Sequence, residues 1–317
     1  MTSDQFKAGA PAAERDGTGI SSLLAQITFL STEQILAHPR WPQARDCYIQ
    51  VLVQSHSPDP AISRVMQDVA GLVLFNLVIA IYEARGEARK DWPTINRIRE
   101  SFANFGLASD RSTDEMLARM RQIGLIELQV APADKRVRLV RPTQRMVAED
   151  CAWHDNHTRA LAVLRPDSRD YDAMFAHEPL HRQVHRAISN DLHEKAFDVL
   201  DTKVNPLVGF VMRQDGAKII FLYLQRALAG GDPSRVSLSY AAASERIDTS
   251  RTHIRNLLAA LESSGLLRRY GNGGNDIELT PELWRHADYF IASMMSANDR
   301  WWQLTRAQVA EIQRSTQ

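Results

Sequence analysis

Histidine and acid spacing is the first place to look for chemistry. His177-Glu178-Pro179-Leu180-His181 matches the HExxH pattern, in which two histidines on one face of a helix hold zinc and the glutamate acts as a base. That arrangement needs unbroken helix beneath both histidines. Pro179 is tolerated only in a first turn, which puts His177 at or before the helix cap, so a polar helix start is expected and no residue is assigned to catalysis. His181 and His185 stand four apart with His177 or His193 nearby, and His154 and His157 form a similar pair. Histidines at helical spacing are more often surface residues, so neither a metal nor a cofactor is expected. Nothing resembles a phosphate-binding glycine loop or a Ser-His-Asp set.

A different chemistry lies in residues 250–269, SRTHIRNLLAALESSGLLRR. Ile254, Leu257, Leu258 and Leu261 recur at i, i+3, i+4 and i+7, which draws one apolar stripe along a helix that Ser250 can cap. The opposite face carries Arg251, Thr252, His253, Arg255 and Asn256. A helix N-terminus set in the major groove offers such side chains to base edges: arginine bonds guanine twice, and serine, threonine and asparagine reach bases or phosphates. Gly265 stops the helix; residues 266–270 read as a strand, 271–275 as a turn and 276–280 as the returning strand. Arg268 and Arg269 sit at the base of that hairpin. Double-stranded DNA is the expected partner of this unit.

The chain holds the unit twice. Setting Gly124 on Gly265 brings Ser109 onto Ser250, Leu117 onto Leu258, Ala118 onto Ala259, Met120 onto Leu261 and Leu125 onto Leu266 without a gap. Here Ser109 caps residues 110–123, whose inner stripe is Thr113, Met116, Leu117, Met120 and Ile123. Ser109, Arg111 and Ser112 are the residues expected to face DNA in this copy, but Asp110, Asp114 and Glu115 accompany Arg111 and Arg119, and phosphates repel carboxylates. Strands at 125–130 and 137–141 enclose a tip at 131–136, where Lys135, Arg136 and Arg138 make a basic projection. Asp134, Arg136, Val140 and Thr143 fit D-x-R-x-x-x-V-x-x-T, which resembles the wing of the MarR family of transcriptional regulators. The resemblance implies a winged helix-turn-helix in each copy, with Asp134 structuring the first wing and Arg136 entering the minor groove. The second wing departs from the pattern, since Gly and Asn fill residues 271–275. Unequal units are therefore expected: the first contributes charge at its wing tip, the second acts mainly through its helix.

The echo extends outward. Ala37-His38 before Pro39 is matched by Ala176-His177 before Pro179, and Val65-Met66 followed by Phe75 by Val211-Met212 followed by Phe221. These pairs describe a tandem duplication of nearly the whole chain. Residues 1–19 read as a disordered tail, 20–165 as the first domain and 166–317 as the second. Two short helices broken at 38–42 are expected in 20–54, a turn at 57–60, one long buried helix over 61–85, and a loop at 86–91. Helices at 94–105 and 143–164 and a linker at 165–168 complete the first half; helices at 281–295 and 299–312, the latter with Trp301-Trp302, close the second. In the MarR family the helices at the two ends of the chain form the dimer interface, so the resemblance implies that these outer helices join the halves.

Composition sets the remaining bounds. Hydrophobic content of 44% and charged content of 24% over 317 residues suit a globular chain with two cores, and residues 69–82, the most apolar run, are shorter than the roughly 20 that span a bilayer. Formal net charge is zero, so DNA contact must come from local clusters rather than a global basic field. Cys47 and Cys151 cannot build a disulfide framework or a cysteine zinc site, and the N-terminus lacks the basic-then-apolar order of a secretory signal; a cytoplasmic protein is expected. The fold expected is mainly α with two small β-wings, tandem winged helix-turn-helix domains forming an intramolecular pseudo-dimer. The function expected is that of a non-enzymatic, sequence-specific transcriptional regulator, monomeric as a chain, on an imperfect operator with half-sites about 34 Å apart. The resemblance also implies a small aromatic effector between dimer helices and DNA-binding lobe, where Tyr48, Trp41, Trp153, Tyr223 and Trp284 could stand. Cys47 or Cys151 could sense oxidation only if exposed beside a cation. Two other readings are a winged-helix interaction scaffold without DNA binding, which neutral charge and the acidic first helix permit, and a tandem winged-helix replication initiator.

Overall fold

The computed structural model describes residues 23–54, 59–66, 68–196, 202–270 and 275–315, and of residues 190–196 the backbone alone. The tail expected at 1–19, residues 57 and 58 of the expected turn, the His193 side chain and residues 271–274 of the second wing lie outside that description. The first half runs α1 (Thr32–Leu36), α2 (Trp41–Val53), α3 (Pro60–Val65), α4 (Val69–Glu83), α5 (Ile95–Ala103), α6 (Asp110–Gln122), β1 (Ile126–Val130), β2 (Arg138–Pro142) and α7 (Gln144–Leu164). The second repeats the order as α8 (Asp172–Phe175), α9 (Pro179–Ala196), α10 (Val208–Val211), α11 (Gly216–Ala229), β3 (Arg235–Ser237), α12 (Tyr240–Ile247), α13 (Arg251–Ser263), β4 (Leu267–Tyr270), β5 (Asp276–Leu279) and α14 (Pro281–Ser315). The protein is mainly helical with small antiparallel sheets. No helix among the described residues is long and apolar enough to cross a membrane.

The same local devices build both helix–hairpin units. Ser109 and Ser250 cap α6 and α13 by accepting from the N–H of Ser112 at 3.3 Å and of His253 at 3.1 Å. Gly124 and Gly265 end the helices at φ 75° and 73°, a left-handed backbone that suits glycine. Thr143 and Thr280 then act twice. Each caps the following long helix, and each hydroxyl donates back across the hairpin, to the Gly124 carbonyl at 2.7 Å and the Leu266 carbonyl at 2.8 Å.

Three expectations are corrected. The single helix expected over 61–85 is two, because Asp68 starts α4 afresh by accepting from the Gly71 N–H at 2.8 Å. A Cβ on Gly71 would land on the Val65 carbonyl, so the missing side chain is what lets α3 cross the first turn of α4, and Gly216 meets the Phe210 carbonyl in the same way. Gly71 is thus equivalent to Gly216 and Val65 to Phe210, one residue out of step with the Val65–Val211 match read from sequence. Residues 281–295 and 299–312 belong to one helix, α14, since neither glycine nor proline interrupts Ser296, Ala297 and Asn298. Finally β3, absent from the sequence reading, pairs with β5 so that Val236 faces Ile277, giving a three-stranded sheet where the first half has two strands.

Packing exchanges elements between the halves. α2 lies on α11 of the second half and α9 lies on α4 of the first; α1 lies on α14 and α8 on α7; α7 and α14 touch each other. The exchange is reciprocal, as in an isologous interface. The largest apolar core accordingly runs across residue 165, joining Trp41, Tyr48 and Ile49 of α2 to Phe221 and Leu224 of α11 and to Trp302 of α14. A second core gathers α4, α5, α6 and the first hairpin through Phe75, Phe102, Leu117 and Val140. Polar ties run the same way. Buried Asp299 accepts from the Leu30 N–H at 2.8 Å and the Tyr171 hydroxyl at 2.9 Å. Arg186 of α9 donates to Asp150 of α7 and Asn76 of α4, each at 3.0 Å.

Candidate nucleic-acid interface

Positioning of the polar faces follows from the apolar ones. Ile254, Leu257, Leu258 and Leu261 are buried, which turns Arg251, Thr252, Arg255 and Asn256 outward, and all four are exposed. Among the described residues none of these four side chains has a hydrogen bond or ion pair, so their donors face solvent. His253 is different: its ring lies 2.7 Å from the Gln214 carbonyl and ties α13 to the start of α11, a packing role in place of the outward one expected. Ser250 is spent on the cap.

In the first unit Thr113, Leu117 and Met120 are buried and Ser109, Arg111, Asp110, Asp114 and Glu115 are exposed, with Ser112 half-buried. Three of its charges, on Arg111, Asp114 and Glu115, are already paired. Arg111 reaches Glu115 at 3.0 Å, and Arg99 of α5 grips Asp114 at 3.1 and 2.6 Å, which holds the Arg99 guanidinium above its usual range. Arg119 turns from the last turn of α6 into a polar cleft of about 650 Å³ that the first turn of α13 also lines, through Ser250 and His253.

The two hairpins differ in the same sense. Asp134 closes the first tip: its carboxylate accepts from the Arg136 N–H at 3.0 Å, its carbonyl from the Val137 N–H at 3.0 Å, and Arg89 lies 3.4 Å away. Lys135, Arg136 and Arg138 are exposed there, Arg138 folding back on the Lys135 carbonyl at 3.3 Å. On the second hairpin Arg269 is bound to Glu262 at 2.5 and 2.9 Å and keeps that carboxyl below its usual range, so it is not the free cation expected. Arg268 reaches Glu278 at 3.1 Å, and Tyr270 donates to the same carboxylate at 2.6 Å.

Between the halves lies a cavity of about 220 Å³ with a mainly apolar lining. Equivalent residues of the two halves meet in it, Leu72 with Ala217, Trp153 with Phe290 and His157 with Met294. Of the aromatics named for an effector space, Tyr48 and Trp153 line it. Trp41 and Tyr223 are instead enclosed in the main core, and Trp284 donates to the Pro233 carbonyl at 2.7 Å beneath Arg45. Tyr48 bonds His157 at 2.7 Å, while the indole N–H groups of Trp153 and Trp301 and the amide of Asn298 are buried without a partner.

The described histidines and cysteines are held in packing and pairing contacts. His177 has φ 52° and precedes α9, which begins at Pro179, so HExxH never shares one helical face. Its ring lies 3.3 Å from Asp155, and His181 lies 3.0 Å from Glu178. Among the described residues no group of three or more His, Cys, Asp or Glu is disposed to hold a metal ion. Cys47 and Cys151 are half-buried and burial raises both thiols, the opposite of what a thiolate sensor needs. Sequence reading missed the Arg186–Asp150–Asn76 network. Its members are far apart in the chain, and no local spacing announces them.

No protein-family model matches this chain, and comparison with curated proteins and with solved structures finds no match either.

Proposed function

We propose that the protein is a sequence-specific, DNA-binding transcriptional regulator in which a single chain forms a MarR-like pseudo-dimer of tandem winged helix-turn-helix units. The observation that carries this reading is the reciprocal exchange of α2 and α9 onto α11 and α4, which sets two capped helix–hairpin units with solvent-facing cations on one continuous frame. A symmetric regulator needs such a frame to address two half-sites at once. The frame here comes from duplication rather than from a second copy. The cavity between the halves supports an effector role: its apolar walls and unpartnered N–H donors suit a small aromatic molecule that bears a hydrogen-bond acceptor.

Binding of the full chain to random-sequence duplex across a salt series tests the reading. Phosphate contacts release counterions, so the logarithm of affinity should fall with the logarithm of salt by roughly 0.9 per contact. The self-paired charges of α6 favour the interaction-scaffold reading as the alternative, and a scaffold shows no such slope. On selected DNA one chain should protect two half-sites about 34 Å apart. A perfect palindrome occupied by two chains would sink the pseudo-dimer.

A further inference from the structure

The two units present opposite charge at equivalent positions. Under the Gly124–Gly265 register, Arg251 of α13 corresponds to Asp110 of α6, and Arg255 corresponds to Asp114. The two arginines are exposed, one helical turn apart on one face, and the helix itself carries no acid before Glu262, which Arg269 holds. The two aspartates are exposed on the matching face of α6, and the cations near them, Arg99 and Arg111, are tied to Asp114 and Glu115. An acidic helix face entering a groove meets phosphate on both sides, whereas an arginine pair at its tip finds acceptors on guanine.

The hairpins reverse this division. The first carries Lys135, Arg136 and Arg138 at a projecting tip with no carboxylate but the structural Asp134. The cations of the second are bound by Glu262 and Glu278. Each unit is therefore furnished for one half of the task.

We propose that the two units divide recognition: α13 reads base sequence through Arg251 and Arg255, while the first unit holds the neighbouring turn of duplex by its phosphates, through the wing at Lys135, Arg136 and Arg138, without reading bases. The inference rests on the DNA-binding reading above and gives the complex a polarity. One orientation on DNA follows, with a short specific element at one end and a sequence-indifferent flank at the other.

Selection of bound sequences from a random duplex pool with the full chain tests the division. The expected result is protection of both half-sites with base preference in one alone, a guanine-containing element, the other about one turn away being tolerant of sequence. The R251A and R255A variants should each lose preference at one base position by roughly tenfold, with little change on unrelated DNA. The K135A/R136A/R138A variant should weaken binding to all sequences alike and lower the salt slope by roughly two to three. The D110N/D114N variant, checked for unchanged helix content, should bind every duplex several-fold more tightly, since it removes two repulsions and frees Arg99. Equal information in two half-sites, or uniform loss in R251A and R255A, overturns the division while leaving DNA binding intact. Absence of salt-dependent binding to any duplex overturns the DNA reading and this inference together.

Discussion

At the scale of single residues the polar groups between the halves decide how the fold responds to pH and to substitution. Arg186 and Asp150 are both buried, and burial lowers the Arg186 guanidinium to about 9. Such a pair adds little over an apolar replacement, but loss of one partner strands a charge. His185, from α9, packs edge-on to His154 of α7 at 4.7 Å between ring centres, bonds Thr305 of α14 at 3.0 Å and lies near Trp302. Burial drives His185 down from 6.5 to about 4, and His154 moves the same way by burial and then by the charges of neighbouring histidines. Above pH 6.5 the ring is neutral in both the folded and unfolded chain. As pH falls from 6.5 toward 4 the unfolded chain takes up a proton that the folded chain refuses, so stability falls across that window. His185 alone should cost about 2 kcal/mol between pH 6.5 and pH 5. Urea midpoints at pH 7.5 and pH 5 measure this, and H185Q should narrow the difference; an equal drop in wild type and variant would show that the acid sensitivity lies elsewhere. The caps Ser109 and Ser250 are legible from sequence because each acts within its own turn. The His185–His154 contact is not, because nothing local links those positions.

At the scale of elements, the helix–hairpin unit is what sequence pattern reads best. Apolar spacing in α6 and α13, their glycine stops and the strands that follow agree with the structure to within a residue or two. Each of these is set by local geometry: 3.6-residue periodicity, a left-handed stop and a turn. The same periodicity misjudged α3 and α4, because residues 61–85 are apolar enough to suit one buried helix. The break comes from a contact between the Gly71 backbone and the Val65 carbonyl that periodicity cannot express. β3 was missed for a related reason, since three residues have little pattern of their own and become a strand only by pairing with β5. Thr143 gives the element scale its test. Its oxygen caps α7 and its hydroxyl clasps the hairpin, so Thr143→Val should lower stability by about 1–2 kcal/mol. Thermal or urea unfolding would measure the loss, and a change below a few tenths would mean the hairpin is held by its strands alone.

At the scale of the whole molecule, the exchange of helices makes each half incomplete by itself. Without the second half, Trp41, Tyr48 and Ile49 lose the α11 surface that covers them; without the first, α9 loses α4. A chain of residues 23–165 expressed alone should aggregate or remain partly unfolded, whereas co-expression with residues 166–315 should restore a stable pair that copurifies, as read by circular dichroism and size exclusion. Two separately soluble, fully folded halves would contradict the packing account. Sequence by itself determined the duplicated order of elements, the helix–hairpin units with their caps and stops, and the unequal charge of the two copies, because periodicity, capping and composition act over a few residues. Tertiary structure alone decided which half each helix packs against, that buried Arg186 meets Asp150 and Asn76, and where a cavity opens between the halves. Those outcomes depend on contacts between residues far apart in the chain, whose energies no local pattern carries.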